Sequence, residues 1–349
     1  MPNERVDAGA ASPGTPDAWR IAELEREVRE LRRTNRALRG RVAGDHVPEP
    51  APTPRARVAF RALGPIEAVV QDRLVDLGAP KQRALLALLV SKVGRLVAFD
   101  LIVEELWTGH PPPAAVSSLQ AYVANLRRIL EPGRAPRTQP TVLRTYGRGY
   151  LLDDRVVEVD VQRFGERAAA GWQTLDRGDA RYAVHEFEGA LALWRGPAYP
   201  EVADTGSVRP DVARLEELRL SAVEGRCAAL LAAGVHEIAA AELEAFVQDH
   251  PLREYGCELL SLAMYRAGRQ ADALAVLRTN QRRLVEELGI DPRPALQLLE
   301  QQILNHAPVL DWRPRPRTAM EPPWEPLPLP DGGHAPHGTP RLHPLHATP

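Results

Sequence analysis

AAVSSLQAYVANLRRIL, residues 114–130, spells a helix with two unlike sides. Leu119, Tyr122, Val123, Leu126, Ile129 and Leu130 recur at 3.6-residue spacing and are expected to be buried. The opposite side carries Ser117, Ser118, Ala121, Ala124, Asn125 and Arg128, with Gln120 and Arg127 on its shoulders. That outer side is small, hydrogen-bonding and basic, and no acidic residue interrupts it before Glu131. The DNA major groove is about 12 Å wide, so such a helix fits it with its backbone close to the base edges. There Asn125 suits adenine, Arg128 suits guanine or phosphate, and Arg127 suits phosphate. An ordinary amphipathic helix with a solvated side carries the same pattern, and this helix alone does not separate the two.

Its neighbours bear on the choice. Upstream, Val58–Leu63, Ile66–Val70 and Leu74–Leu77 read as short strands, broken by Gly64-Pro65 and a Gln71-Asp72 turn. Pro80 opens a helix whose Leu85, Leu86, Leu88 and Leu89 face a core, and Gly94 stops it. After a strand-like Arg95–Phe99, Asp100 reads as the N-cap of a short helix ending near Trp107, because TGHPPP (108–113) does not remain helical. Downstream, Thr141–Tyr146 and Tyr150–Leu152 bracket Gly147-Arg148-Gly149, a hairpin with a basic tip. Lys81 and Arg83 open a helix whose free backbone N–H groups suit a phosphate. Arg144, Arg148 and Tyr150 lie on the hairpin, whose tip suits Arg148 to a minor groove. Each of these residues is also a common surface residue; their arrangement around one helix favours DNA. Residues 57–154 are therefore expected to form a winged-helix DNA-binding domain.

Residues 158–306 are helical in pattern and carry a repeat. Gly178, Gly234 and Gly268 sit at turns between helices, the last two 34 residues apart, which is the tetratricopeptide period. Five residues after each glycine stand Ala183, Ala239 and Ala273, and four further on Phe187, Leu243 and Leu277. The first gap is 56 residues, so WRGPAYPEVADTGSVRPDV (194–212) reads as an insertion. Residues 55–157 hold 15 Lys/Arg against 9 Asp/Glu, whereas residues 158–306 hold 16 against 24. A basic half beside an acidic half points to a polyanion-binding unit and a protein-facing unit.

The flanks are of other kinds. Residues 1–16 are expected to be disordered. In residues 17–43, Ile21, Val28, Asn35 and Val42 fall at heptad position a, and Leu24, Leu31 and Leu38 at d. β-Branched a positions with leucine at d favour a parallel two-stranded coiled coil, in which one Asn at a fixes register. Arg20 then meets Glu25 of a partner helix, and Glu27 meets Arg32. The segment reads as a homodimerisation helix; packing on the protein's own body is the alternative. Residues 44–56 form a proline-stiffened linker, and residues 307–349 a proline-rich tail expected to be disordered, with Trp312 and Trp324 read as solvated and docking hooks as the alternative.

Cys227 and Cys257 are in no metal-ligand spacing and read as small core or boundary residues. No stretch approaches the ~20 apolar residues of a membrane helix, and no secretory signal is visible. A cytoplasmic, nucleoid-associated protein is expected. His185-Glu186 and His236-Glu237 lack the second histidine of a zinc-protease motif, and no nucleophile elbow or dinucleotide fingerprint is present. Neither an enzyme nor a cofactor is expected.

PKQRALLALLVSKVGRLVAFDLIVEELW (80–107), SSLQAYVANLRRILEP (117–132) and LRTYGRGYLL (143–152) resemble, in order, the OmpR-type winged helix of Streptomyces antibiotic regulatory proteins. ALALWRGPAY, RLEELRL, HPLRE, MYRAGRQADAL and ELGIDPRPALQLLE resemble the bacterial transcriptional activation domain that follows it there. The resemblance spans about residues 57–306. It implies a mainly α protein, a winged helix followed by an all-α tetratricopeptide-like domain. It also implies an activator of secondary-metabolite genes that binds direct repeats in double-stranded promoter DNA as a side-by-side dimer and contacts RNA polymerase. Thr108, Gly109 and His110 lie on the side where related regulators touch polymerase. Asn125 stands where the family more often has arginine, which puts base preference in question. The coiled-coil extension is unusual for the family. No phosphate-loop ATPase motif or receiver domain accompanies the match. The competing reading is a repeat-type interaction scaffold with weak or lost specific DNA binding.

Overall fold

The computed structural model describes residues 58–312. The coiled-coil seam from Ile21 to Val42, the linker, and the tail beyond Trp312 lie outside the described residues. β1 (Val58–Arg61), β2 (Glu67–Val70) and β3 (Arg73–Val75) form an antiparallel meander. Its second turn places Gln71 and Asp72 both at positive φ (51° and 63°), the handedness that matches strand twist. β7 (Val157–Val159) pairs in parallel with the free edge of β1, giving the order β3-β2-β1-β7.

Within that frame come α1 (Pro80–Ser91), β4 (Leu96–Ala98), α2 (Phe99–Trp107) and α3 (Ala115–Leu130), then the hairpin of β5 (Leu143–Tyr146) and β6 (Gly149–Leu152). The second sheet has the order β4-β6-β5. Every residue from Leu85 to Val90 is buried, which makes α1 the central core helix. Asp100 is not the cap of α2. The strand β4 runs directly into the helix, Ala98 occupies the cap position without a side-chain bond, and Asp100 stands in the first turn.

The second half stacks α4 (Asp160–Asp176), α5 (Ala180–Leu191), α6 (Arg209–Ala233), α7 (His236–Asp249), α8 (Glu254–Arg266) and α9 (Gln270–Arg283). A π-helical turn (Leu284–Leu288) leads to α10 (Pro294–Leu304). Gly178, Gly234 and Gly268 join successive pairs at φ 86°, 87° and 79°. Ala183, Ala239 and Ala273 are fully buried, and Phe187, Leu243 and Leu277 fill the grooves beside them. Phe187 lies against Gly171 and Gly225, where an added Cβ would come within 2.8 and 2.4 Å of its ring. In the first pair the helices therefore approach closely around one large side chain. Cys227 and Cys257 are buried, and burial pushes their thiols up to about 12 and about 11. Among the described residues no helix is long and apolar enough to cross a membrane.

The segment that interrupts the repeat period is the joint between the halves. Arg195 N donates to the Leu63 carbonyl (2.7 Å) and Tyr199 N to that of Ala62 (2.9 Å). Glu201 accepts from Ile66 N (2.9 Å), and Glu105 of α2 accepts from Ser207 N (2.9 Å). Lys92, after α1, donates to Ser207 O (2.7 Å) and pairs with Asp211 (2.6 Å). From the opening of α4, buried Asp160 accepts from Ala62 N with both oxygens (2.8 and 2.9 Å) and from Leu63 N (3.1 Å). Burial pushes that carboxyl above its ordinary value although the backbone N–H donors oppose the shift. One hydrophobic core runs across the joint from Val58 to Ala229, and a second begins at Cys227 within the later repeats.

Packing also continues past residue 306. Leu310 is buried, its carbonyl accepts from Arg266 Nε (2.8 Å), and Trp312 Nε1 donates to Ala232 O (3.1 Å). The Trp312 ring covers Gly234 and meets His236 edge-on, with centroids 5.7 Å apart. Trp312 is thus a docked residue; sequence composition hides this because its partners lie some 80 residues earlier.

Candidate nucleic-acid interface

The two sides of α3 separate as periodicity demands. Leu119, Val123, Leu126 and Leu130 are buried against the core, with Tyr122 and Ile129 half-buried beside them. Val116, Ser117, Gln120, Ala121, Ala124 and Arg128 are exposed, and Ser118 is half-buried. The repeat domain leaves this outer side uncovered. Ser117 returns its hydroxyl to Ala114 O (3.0 Å), so a bound partner must compete for it.

Arg127 binds the hairpin to this helix. Its Nε donates to Leu143 O (2.9 Å), its Nη2 to Thr145 Oγ1 (2.7 Å), and its guanidinium lies 5.9 Å from the Tyr150 ring centroid. Burial lowers its pKa. Arg127 therefore holds the hairpin in register with α3 and is directed away from a phosphate. Tyr150 is buried beneath it and does not face solvent. Glu131, at the end of α3, adds a second tie by accepting from Thr141 N (2.8 Å) and Oγ1 (2.5 Å).

At the hairpin tip Arg148 leaves its side chain 87% exposed, 3.9 Å from an equally open Asp100. The tip lies tight on β4 and the start of α2: Phe99 N donates to Arg148 O (2.9 Å), and a Cβ on Gly149 would stand 2.4 Å from Val97 O. Only glycine permits that approach. Tyr146, 65% exposed, stands opposite Gly149 and flanks Arg148. Tyr146 and exposed Val116 extend the surface and escaped the sequence reading. An aromatic residue and a branched one inside amphipathic segments look like core, and only the hairpin register and the helix phase turn them outward.

The other basic candidates are tied to groups of the domain itself. The Lys81 ammonium caps the Leu106 carbonyl at the end of α2, 5.9 Å from the Trp107 ring centroid. Arg83 donates to Gly78 O (3.3 Å), and Arg144 pairs with Asp153 (3.1 Å). These three shape the framework, in contrast to Arg128 and Arg148. Asn125 is half-buried and bonded on both sides: Nδ2 donates to Gln82 Oε1 (2.8 Å), and Oδ1 accepts from Arg128 Nη2 (2.5 Å). Gln82 gave no functional signal in sequence beyond being a polar residue on an apolar helix. Thr108, in the left-handed region at φ 51°, begins an exposed loop with Gly109 and His110, whose Nδ1 lies 3.0 Å from Thr108 O.

Comparison with known proteins fits this arrangement. Residues 73–152 match the family model described as transcriptional regulatory protein, C terminal, and residues 159–304 match the bacterial transcriptional activator domain. Transcriptional regulator RedD of Streptomyces coelicolor is 35% identical over 293 residues, 84% of this chain and 82% of RedD. Regulatory protein DnrI of Streptomyces peucetius is 36% identical over 71% of this chain and 93% of its own length. Regulatory protein AfsR of Streptomyces coelicolor is 38% identical over 72% of this chain, which spans only 24% of AfsR. The structure of Mycobacterium tuberculosis EmbR in complex with a low-affinity phosphopeptide superposes with a TM-score of 0.65 at 36% identity, covering 72% of this chain and 66% of that one. A winged helix joined to an activator domain, shared with these regulators over most of the length of RedD and DnrI, makes this chain a member of the Streptomyces antibiotic regulatory protein family of transcriptional regulators.

Proposed function

We propose that this regulator binds promoter DNA by inserting the outer side of α3 into a major groove while Arg148 reaches an adjacent minor groove. It acts on direct repeats as a side-by-side homodimer and activates a secondary-metabolite gene cluster by engaging RNA polymerase. The observation that carries this reading is the open side of α3, from Val116 to Arg128, held beside the hairpin by Arg127. Small residues at 117, 121 and 124 let the backbone approach base edges, Gln120 supplies an amide and Arg128 a charge. The dimer and polymerase contacts rest on family membership and on the exposure of the 108–110 loop. Titration against duplexes with and without a direct repeat, at several salt concentrations, tests the proposal. The repeat-containing duplex is expected to bind at least about 10³-fold more tightly, with affinity falling as salt rises. Equal affinity for both duplexes sinks it. An Arg128→Ala, Arg148→Ala double variant that still binds promoter DNA like the native protein would instead favour the scaffold reading.

A further inference from the structure

The exposed guanidinium of Arg128 ends a chain of hydrogen bonds that starts inside the domain. Gln82 Nε2 donates to Leu77 O (2.6 Å), Asn125 Nδ2 donates to Gln82 Oε1 (2.8 Å), and Arg128 Nη2 donates to Asn125 Oδ1 (2.5 Å). The direction of the chain is set at its inner end. A peptide carbonyl only accepts, so it takes the NH₂ of Gln82 and leaves the Gln82 oxygen facing Asn125. That oxygen in turn draws the Asn125 NH₂ inward and leaves its oxygen for Arg128. The inner end is rigid: Gln82 is 3% exposed on the core helix α1, and the loop before it is tied by Gly78 N to Asp76 Oδ1 (2.8 Å) and Arg83 to Gly78 O. A free arginine samples many rotamers, whereas one with an N–H pinned presents its remaining donors as a fixed fork.

We propose that Gln82 and Asn125 are positioning residues that aim Arg128 at the O6/N7 edge of one guanine, so that base preference is set partly from within the core of the winged helix. This inference rests on the DNA-binding reading and revises the role of Asn125, which acts through Arg128 and does not read adenine for itself. The chain makes an unusual demand: a buried residue on α1, unable to reach DNA, governs which base pair is preferred.

Selection from randomised DNA duplexes, applied to the native full chain and to Arg128→Ala, Asn125→Ala and Gln82→Met, tests this. The native protein is expected to show one guanine position that Arg128→Ala relaxes about tenfold. Asn125→Ala and Gln82→Met are expected to relax that same position several-fold and to leave the others intact. The Asn125→Ala, Arg128→Ala double variant should be no more relaxed there than Arg128→Ala alone. Preference ratios within one sample do not depend on the fraction folded, and Asn125→Ala, at a half-exposed site, decides the matter if Gln82→Met fails to fold. The inference is overturned if Asn125→Ala relaxes a different base pair, or if both variants keep the native guanine preference. A native protein that selects no sequence overturns the DNA-binding reading itself.

Discussion

The paired arginines of the repeats and the two on the open face of the winged half, Arg128 and Arg148, have opposite fates. In the repeats, Arg253 is gripped by Glu217 and Glu224, Arg226 by Glu188 and Glu242, Arg269 by Glu244 and Asp272, and Arg293 pairs with Glu258. In the winged half, Arg128 has no carboxylate partner among the described residues, and Arg148 faces Asp100 across open solvent. Internal pairing cancels charge at short range, so the repeat arginines contribute little field outside the protein, whereas the winged pair keep theirs. The lesson is that an arginine's partner, more than its count, tells whether it serves the fold or a ligand.

The contrast is tested most severely at Arg253. Its Nε and Nη2 donate to the two oxygens of Glu224 (3.1 and 2.8 Å), a side chain only 6% exposed, and Nη1 donates to Glu217 (2.8 Å). These carboxylates raise the pKa of Arg253, the Glu224 hydrogen bond most of all. Arg253→Ala leaves a buried carboxylate without its counter-charge, a loss expected to reach about 3 kcal/mol or more. Denaturant unfolding measures it, and DNA affinity of the folded variant should match the native protein. A loss below about 1 kcal/mol would place this pair with ordinary surface ion pairs and erase the contrast.

How far the contrast was readable beforehand depends on range. The period of α3, the leucines of α1, the Gly-Arg-Gly tip and the three repeat glycines are local patterns, and each stands where its spacing puts it. What tertiary partners decide was hidden. Arg127 and Arg128 are adjacent and about 100° apart on the helix, yet one turns in to Leu143 O and the other stays out. Lys81 and Arg83 are likewise engaged by backbone carbonyls, and Tyr150 is buried under the Arg127 guanidinium. The three-residue β7 is too short to alternate visibly, and it pairs with a strand about 100 residues earlier. Residues 194–212 carry no period at all, and their role as the joint comes from hydrogen bonds to residues 62–66, 92 and 105.

Within the winged half, Arg128 and Arg148 should fail in different ways. Arg128→Ala is expected to cost about 1–3 kcal/mol of specific affinity and to relax one base position. Arg148→Ala is expected to weaken binding to all duplexes about equally and to reduce the magnitude of the salt slope by about 1. Fluorescence anisotropy across a salt series separates the two. If Arg148→Ala relaxes sequence preference and Arg128→Ala alters only the salt slope, their assigned roles exchange.

The smallest effect concerns Asp153, where a winged-half carboxylate is used as the repeats use theirs. It accepts from Arg155 Nε (2.9 Å) and Nη2 (2.7 Å) and from Arg144 Nη1 (3.1 Å), at the base of the hairpin that presents Arg148. The Arg155 hydrogen bond holds its carboxyl well below the usual carboxylate range, with burial opposing and Arg144 assisting. In the unfolded chain an aspartate titrates near about 3.9, so this anion contributes stability above that pH and loses it as the pH falls toward the depressed folded value. Asp153→Asn should therefore lower the melting temperature slightly at neutral pH, since Arg155 is largely and Arg144 partly solvated, and the gap from the native protein should close below about pH 4. A gap unchanged down to strong acid would mean that the carboxylate's charge contributes nothing here, and that hairpin order rests on Arg127 and Glu131 alone.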